Sequence, residues 1–204
     1  MIWAMIRRLR RAIARSWLLS KVYYRLCGLR VEGRPADAVW YFAFGANMHD
    51  SAFRERRRMR PSEWRAGRVT GYRLRFNLDG RPLGKAAPAN IDADPRADPR
   101  ADPLADPLAD PPAEVWGVLY RITRADLLYL DATEGVPGRR YRQLWLVAED
   151  ADGRALDAVT YIAEGNAEDG KPSLRYITLL REGAAAHGLP AHYLDYLNDV
   201  EAAS

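Results

Sequence analysis

The fold follows from one apolar stretch, Tyr41-Phe42-Ala43-Phe44-Gly45-Ala46-Asn47-Met48, which breaks into a glycine and asparagine turn. An apolar run of this length bounded by turn residues is typical of a buried strand, predicted here over residues 39–44. Gly45 lets a ligand approach the backbone of the turn closely. A second segment, residues 131–138, places the carboxylate of Glu134 directly before turn residues. Together they suggest a loop of backbone N–H groups facing one Glu that moves protons, which predicts an enzyme.

Length and composition indicate one catalytic domain. A chain of 204 residues with 48% hydrophobic content can bury one substantial core but scarcely two. The single Cys27 excludes an internal disulfide framework, which favours a reducing compartment, and the expected location is the cytoplasm. The three histidines show no spacing that would pair them on one helix face, so no metal site is predicted.

The net charge of +4 hides an uneven distribution. Residues 1–31 carry eight basic residues and no acid, which leaves 23 basic against 27 acidic residues, a net charge of −4, for the rest. Nucleic-acid binding by the catalytic domain is therefore not favoured. The basic cluster at residues 54–60 is interpreted as a solvated helix face rather than a phosphate site.

The N-terminal extension, residues 1–37, begins with a basic amphipathic pattern. On a helical wheel most apolar residues of its first 17 positions share one side, opposite five arginines. No apolar stretch approaches the ~20 residues that a membrane span needs. Such a helix suits an anionic membrane surface, but a helix packed on its own domain or a disordered extension has the same pattern, so peripheral membrane contact through residues 1–31 stays open.

A tetrapeptide array, Ala-Asp-Pro-X, runs over residues 93–112. Proline at every fourth position removes backbone donors and favours extended conformations, so neither a helix nor a central strand can run through it. The favoured interpretation is a surface-loop insertion in the domain at residues 38–204, since loop closure costs little extra as a loop lengthens. The alternative is a partner-binding tract.

The remaining pattern predicts an α+β domain. Thr123 followed by Asp126 reads as a helix N-cap, and Gly135 as the stop of that helix, which puts Glu134 at a helix C-terminus. Asp152 and Gly153 read as a hairpin turn. The predicted strands cover residues 39–44, 65–76 (with possible glycine bulges), 115–122, 141–148 and 156–162, and two further helices cover residues 173–187 and 191–201.

The motif at residues 41–48 resembles the Tyr-Gly-Ser-Asn signature of the γ-glutamylcyclotransferase family, which includes AIG2-like proteins. Four later segments resemble successive motifs of that family in order and spacing: residues 71–77, 114–120, 130–136 and 171–176. The resemblance covers about residues 39–200. It implies an α+β fold around a small, mixed, barrel-like sheet with packed helices, and an activity that releases 5-oxoproline without a cofactor.

The resemblance implies a catalytic role for Glu134. The α-amine of a small γ-glutamyl amine or peptide attacks its own γ-carbonyl, and one carboxylate serves first as general base and then as general acid, a lyase or acyl-transfer type of cyclisation. A helix C-terminus and partial burial both disfavour a charged carboxylate, so Glu134 is expected to hold a proton more readily than a solvated Glu. The implied substrate contacts are Tyr41, Phe42, Ala43, Phe44, Gly45, Ala46, Tyr141 and Tyr176.

Alternatives remain open at the level of the sequence. Phe44 and Ala46 stand where the family signature usually has Tyr and Ser, so side-chain hydrogen bonds to substrate are missing there, whereas a backbone site survives. The tyrosines could equally be packing residues. The rival functions are a non-catalytic γ-glutamyl metabolite-binding protein at the membrane surface and an enzyme of a biosynthetic or polyamine pathway. The oligomeric state cannot be read from this sequence.

Overall fold

A computed structural model describes residues 38–79, 87–94, 113–166 and 168–203. The N-terminal extension lies outside the described residues. Of the tetrapeptide array, only Ala93 and Asp94 fall within them. The described residues form seven strands, β1 (Ala38–Ala43), β2 (Glu63–Thr70), β3 (Tyr72–Arg75), β4 (Asn90–Ala93), β5 (Glu114–Thr123), β6 (Arg142–Asp150) and β7 (Ala155–Ile162), and three α-helices, α1 (Arg124–Glu134), α2 (Leu174–Ala186) and α3 (Ala191–Asp199).

Five strands close into a barrel in the order β1-β5-β2-β6-β7. Strand β1 pairs antiparallel with β5 along its whole length and parallel with β7 through Trp40 and Tyr41, so it has a neighbour on both edges. Its residues 39–43 are all buried. This enclosure explains why β1 is a continuous apolar run rather than an alternating one.

The prediction of one strand over residues 65–76 is wrong. The chain turns at Gly71, whose φ of +81° is readily adopted only by glycine, and β2 ends at Thr70. Strand β3 leaves the barrel and pairs with β4 in a separate two-stranded sheet. The sequence analysis missed β4 because it has only four residues, two of them polar, and no alternating pattern.

Helix α1 confirms the capping prediction. The Thr123 hydroxyl accepts a hydrogen bond from the backbone N–H of Asp126 at 3.1 Å, and the helix ends at Glu134 before the left-handed Gly135. Ser173 caps α2 in the same way. Helix α2 packs on the short 3₁₀ helix Ala46–Met48 that follows β1, which connects the C-terminal helices to the turn of the first motif. None of the helices among the described residues has the length and apolarity to cross a bilayer.

Candidate active site

A cavity of about 170 Å³ lies where β1 ends and α1 ends. Its wall combines the turn after β1, the last residue of α1 and side chains from the strands and α2. Of the residues predicted to form the site, seven lie together in this wall: Tyr41, Phe44, Gly45, Ala46, Glu134, Tyr141 and Tyr176. The residues that the sequence analysis did not select include Asn47, Arg56, Arg57, Ala89, Thr160 and Tyr161.

Two of the predicted contact residues do not line the cavity. Phe42 and Ala43 are 0% and 1% exposed and belong to the barrel core. The ring of Phe42 lies 6.4 Å from that of Phe44, and its carbonyl accepts a hydrogen bond from the Thr160 hydroxyl at 2.7 Å. Phe42 therefore supports the cavity wall from behind.

The contacts that position the Glu134 side chain all end on one of its two carboxylate oxygens, Oε1. Its Oε1 lies 2.6 Å from Nη2 of Arg57 and accepts a longer hydrogen bond, 3.4 Å, from the Asn47 amide. The Glu134 side chain is only 14% exposed. Both contacts with described residues end on Oε1, so Oε2 is the oxygen available for a ligand.

Arg57 corrects the interpretation of the basic cluster at residues 54–60. Its side chain is 17% exposed and points inward, where Nε donates to the Asn47 carbonyl oxygen at 2.9 Å and Nη1 donates to the Thr133 hydroxyl. Arg54, by contrast, pairs with Asp50 four residues earlier, as expected for a surface helix. The one turn of π-helix at Ser51–Arg56 brings Arg57 round to the cavity.

Asn47 connects Glu134 to the first strand. Besides its contact with Glu134, its amide donates to the hydroxyl of Tyr41 at 2.7 Å. Burial, together with the negative charge of Glu134, raises the pKa of Tyr41 well above its usual value, so Tyr41 stays a neutral phenol. Asn47 belonged to the quoted motif, which was the available signal for it. Nothing in the local sequence distinguished Arg57 from its neighbouring arginines.

Tyr176 fits against the glycine of the turn. Its hydroxyl accepts a hydrogen bond from the backbone N–H of Ala89 at 3.1 Å, and a Cβ on Gly45 would lie 2.9 Å from that oxygen. Burial raises the pKa of Tyr176 to about 12. The absence of a side chain at Gly45 is thus a steric requirement for the position of Tyr176.

Replacing Gly45 by Ala is expected to lower kcat/KM by about 10²-fold, because the added methyl group displaces Tyr176 from the cavity wall. Gly45 has φ −118°, which alanine tolerates, so the thermal midpoint should fall much less. Gly138→Ala is the matched control, since nothing lies within 4 Å of its added Cβ. Steady-state kinetics that show equal activity for the two variants would contradict this role of Gly45.

A second carboxylate lies behind the cavity. Asp131, one turn before Glu134 on α1, is 2% exposed and accepts hydrogen bonds from the Tyr161 hydroxyl at 2.6 Å and the Gln143 amide at 2.7 Å. Burial is the main cause that raises the pKa of Tyr161 well above its usual value. Asp131 therefore fixes the aromatic wall. No cluster of three metal-ligating side chains occurs in the described part of the chain.

Comparison with known proteins identifies relatives of this chain. The AIG2-like family matches residues 114–197, which run from β5 into α3. The γ-glutamylcyclotransferase of Bos taurus is 27% identical over 180 residues, which cover 84% of this chain and 83% of that protein. The chain is a relative of the γ-glutamylcyclotransferases. The family resemblance predicted from the sequence motifs is thereby confirmed.

Other relatives extend the comparison. A γ-glutamyl cyclotransferase of Aspergillus oryzae is 30% identical over 166 residues, covering 76% of this chain and 59% of that protein. A solved structure of a γ-glutamyl cyclotransferase superposes with a TM-score of 0.64 at 22% identity, over 81% of this chain and 89% of that one. At this identity the superposition bears on the fold, and it confirms the predicted α+β class with a barrel-like sheet. In the present chain, itself a γ-glutamylcyclotransferase relative, the candidate carboxylate of Glu134 lines the cavity where the barrel strand β1 ends.

Proposed function

We propose that the protein is a γ-glutamylcyclotransferase that converts a γ-glutamyl amine or peptide into 5-oxoproline and the free amine. The observation that carries this proposal is the mostly buried carboxylate of Glu134, which lies in one small cavity with the turn that follows β1. A buried carboxylate is costly unless its contacts or its chemistry compensate for the lost hydration. The relatives of this chain that are named γ-glutamylcyclotransferase support the same reaction class.

The reaction is an intramolecular acyl transfer. The α-amine nitrogen of the substrate attacks the γ-carbonyl carbon, a C–N bond closes the five-membered ring, and Glu134 accepts the proton that this nitrogen loses. The tetrahedral intermediate then collapses, the original γ-amide C–N bond breaks, and Glu134 returns its proton to the leaving nitrogen. One carboxylate therefore acts as base and acid in sequence.

The contacts of Glu134 suit this shuttle. Arg57 and Asn47 occupy Oε1 and fix the carboxylate plane, which leaves Oε2 to exchange the proton. Nη2 of Arg57 lies 2.6 Å from Oε1, so a positive charge stands beside the carboxylate that receives the proton. The guanidinium also remains beside the carboxyl group after protonation, which assists return of the proton to the leaving amine.

Positioning supplies the rest of the catalysis. Holding the substrate folded back on itself can contribute ~7–11 kcal/mol of the barrier in favourable intramolecular reactions. Backbone N–H groups of the turn remain the predicted donors to the developing oxyanion. Arg56 lines the cavity and makes no ion pair with the described residues, and burial and the nearby charges of Arg57 and Arg175 lower its pKa. Arg56 is therefore suited to bind the α-carboxylate of the γ-glutamyl group.

The test is 5-oxoproline release by the intact chain, measured on a panel of γ-glutamyl amino acids, γ-glutamyl peptides and γ-glutamyl amines. Release that is saturable and proportional to enzyme concentration is expected for at least one class. If calorimetry shows that substrates bind but none is cyclised, the cyclotransferase assignment fails and the metabolite-binding alternative replaces it.

A further inference from the structure

A second, larger cavity adjoins the catalytic one. Its volume is about 470 Å³, and Tyr141 lines both cavities. The catalytic cavity, at about 170 Å³, is smaller than the ~300–1,000 Å³ of typical ligand pockets and suits the γ-glutamyl half alone. The amine half of a substrate cyclised at Glu134 needs space beyond Tyr141, and the larger cavity provides it.

The wall of the larger cavity combines an apolar floor with a basic rim. Val136, Ile162 and Ala163 contribute the apolar part. The rim consists of three arginines with exposed side chains, Arg139, Arg140 and Arg142, against a single acid at the rim, Glu164.

Among the described residues, the rim arginines differ from the arginines of β2 and β3 in having no carboxylate partner. Within the described ranges, none of the three forms an ion pair, and the guanidinium of Arg140 lies 5.7 Å from the centre of the Tyr141 ring. Asp131, the other carboxylate in this wall, is already bound by Tyr161 and Gln143. By contrast, the arginines of β2 and β3 are all ion-paired: Arg65, Arg68, Arg73 and Arg75.

The backbone that presents these arginines is unusual. After the 3₁₀ helix Val136–Gly138, Arg139 adopts a left-handed conformation with φ +55°, which is uncommon for a residue other than glycine. The backbone N–H of Arg140 donates to the carbonyl of Gly135 at 3.2 Å, and β6 begins at Arg142. This tight connection joins the end of α1, where Glu134 lies, directly to the basic rim.

We propose that the larger cavity is the subsite for the amine half of the substrate and that Arg139, Arg140 and Arg142 bind a carboxylate on that half. The inference rests on the proposed function and identifies the residues that would select an amine half with a free carboxylate. Guanidinium groups favour carboxylates by charge-assisted hydrogen bonds. The same groups repel cationic amine halves, so γ-glutamyl polyamines are disfavoured.

A matched pair of ligands tests the subsite: γ-glutamylalanine and its C-terminal amide, which differ in one charge. Isothermal titration calorimetry on the Glu134→Gln variant measures binding without turnover. The acid is expected to bind about tenfold more tightly than the amide, as for a few partly exposed ion pairs. Adding Arg139→Gln, Arg140→Gln and Arg142→Gln together should reduce this ratio to about one, while affinity for the amide stays the same. Each single variant should give an intermediate ratio of the affinities for the acid and the amide. The test can therefore still be interpreted if the triple variant unfolds.

Arg154→Gln is the matched control, because Arg154 is exposed in the β6–β7 turn and lines neither cavity. Equal affinities for acid and amide, including no detectable binding of either, overturn the subsite, as does an equal loss in the Arg154 variant. Turnover by the wild-type chain is measured in parallel. Release of 5-oxoproline at equal rates from the acid and the amide would contradict the subsite and support the reaction. Tighter binding of the acid without any release would contradict the reaction and support the anion subsite.

Discussion

Replacing Glu134 by Gln is expected to lower 5-oxoproline release by at least about 10³-fold, within the range that a positioned general acid or base supplies. Glutamine retains an oxygen that can accept from Arg57 and Asn47, so the hydrogen bonds at Oε1 persist in the variant. It cannot accept a proton from the attacking amine at neutral pH. The loss should therefore appear in kcat, with binding of the substrate nearly unchanged.

Glu182→Gln provides the control for this substitution. Glu182 lies on α2, and its carboxylate is 3.2 Å from Nε2 of His49. Its side chain is 59% exposed and does not line the cavity. Both variants should keep a thermal midpoint close to that of the parent chain. Near-normal release by the Glu134 variant would exclude the proton shuttle at this residue, whatever the substrate.

If the parent chain released no 5-oxoproline, Phe44 and Ala46 would be the first residues to test as the cause. Both line the cavity, and both lack the hydroxyl group that the family signature carries at these positions. The pair of substitutions Phe44→Tyr and Ala46→Ser would then separate two explanations. Gain of release would assign the inactivity to the missing hydroxyls, and continued binding without release would assign a binding function to the cavity.

Local patterns in the sequence were sufficient to predict β1, which precedes the turn of the first motif, and α1, which ends at Glu134. The apolar run of β1 reflects its neighbours on both edges, and the Thr123 cap with the stop at Gly135 located the end of α1. These signals are local because hydrogen bonds within one turn of the chain set the helix ends. These signals predict that Glu134 lies at a helix terminus without reference to any tertiary contact.

Long-range contacts account for what the sequence did not show. Closure of the barrel depends on a parallel pairing of β1 with β7, which no spacing between the two strands encodes. Arg57 contacts Glu134, 77 positions later in the chain, and its side chain is surrounded in sequence by other arginines. A charge run is usually solvated, and only the turn at Ser51–Arg56 makes Arg57 the exception.

Replacing Arg57 by Met is expected to lower both activity and stability. The variant removes the ion-pair partner of the mostly buried Glu134 carboxylate and the hydrogen bonds to Asn47 and Thr133. Loss of one partner from a fully buried ion pair costs about 3–5 kcal/mol. Because both side chains retain some exposure, a decrease of about 1–3 kcal/mol in the free energy of unfolding is expected here. The corresponding fall in kcat/KM is about 10²-fold.

Arg54→Met is the matched control from the same basic cluster. Its ion pair with Asp50 joins side chains that are 30% and 59% exposed, so its loss should cost less than about 1 kcal/mol and leave release unchanged. Urea unfolding and 5-oxoproline release measure the two quantities. Similar losses in the Arg54 and Arg57 variants would mean that the charge of the cluster matters and the contact with Glu134 does not.

A double-mutant cycle separates the effect of Arg57 on Glu134 from any independent role. If Arg57 acts by orienting the Glu134 carboxylate, Arg57→Met should cost little further activity in the Glu134→Gln background, because the group that it orients no longer transfers a proton. The cost in stability should also shrink, since the uncharged amide tolerates the loss of a cation. Arg57→Lys refines the result: lysine retains the charge but lacks the planar fork that contacts Asn47 and Thr133 together with Glu134. Recovery of stability without recovery of kcat in that variant would show that the orientation of the Glu134 carboxylate limits the reaction. The positive charge at residue 57 would then not be the limiting factor.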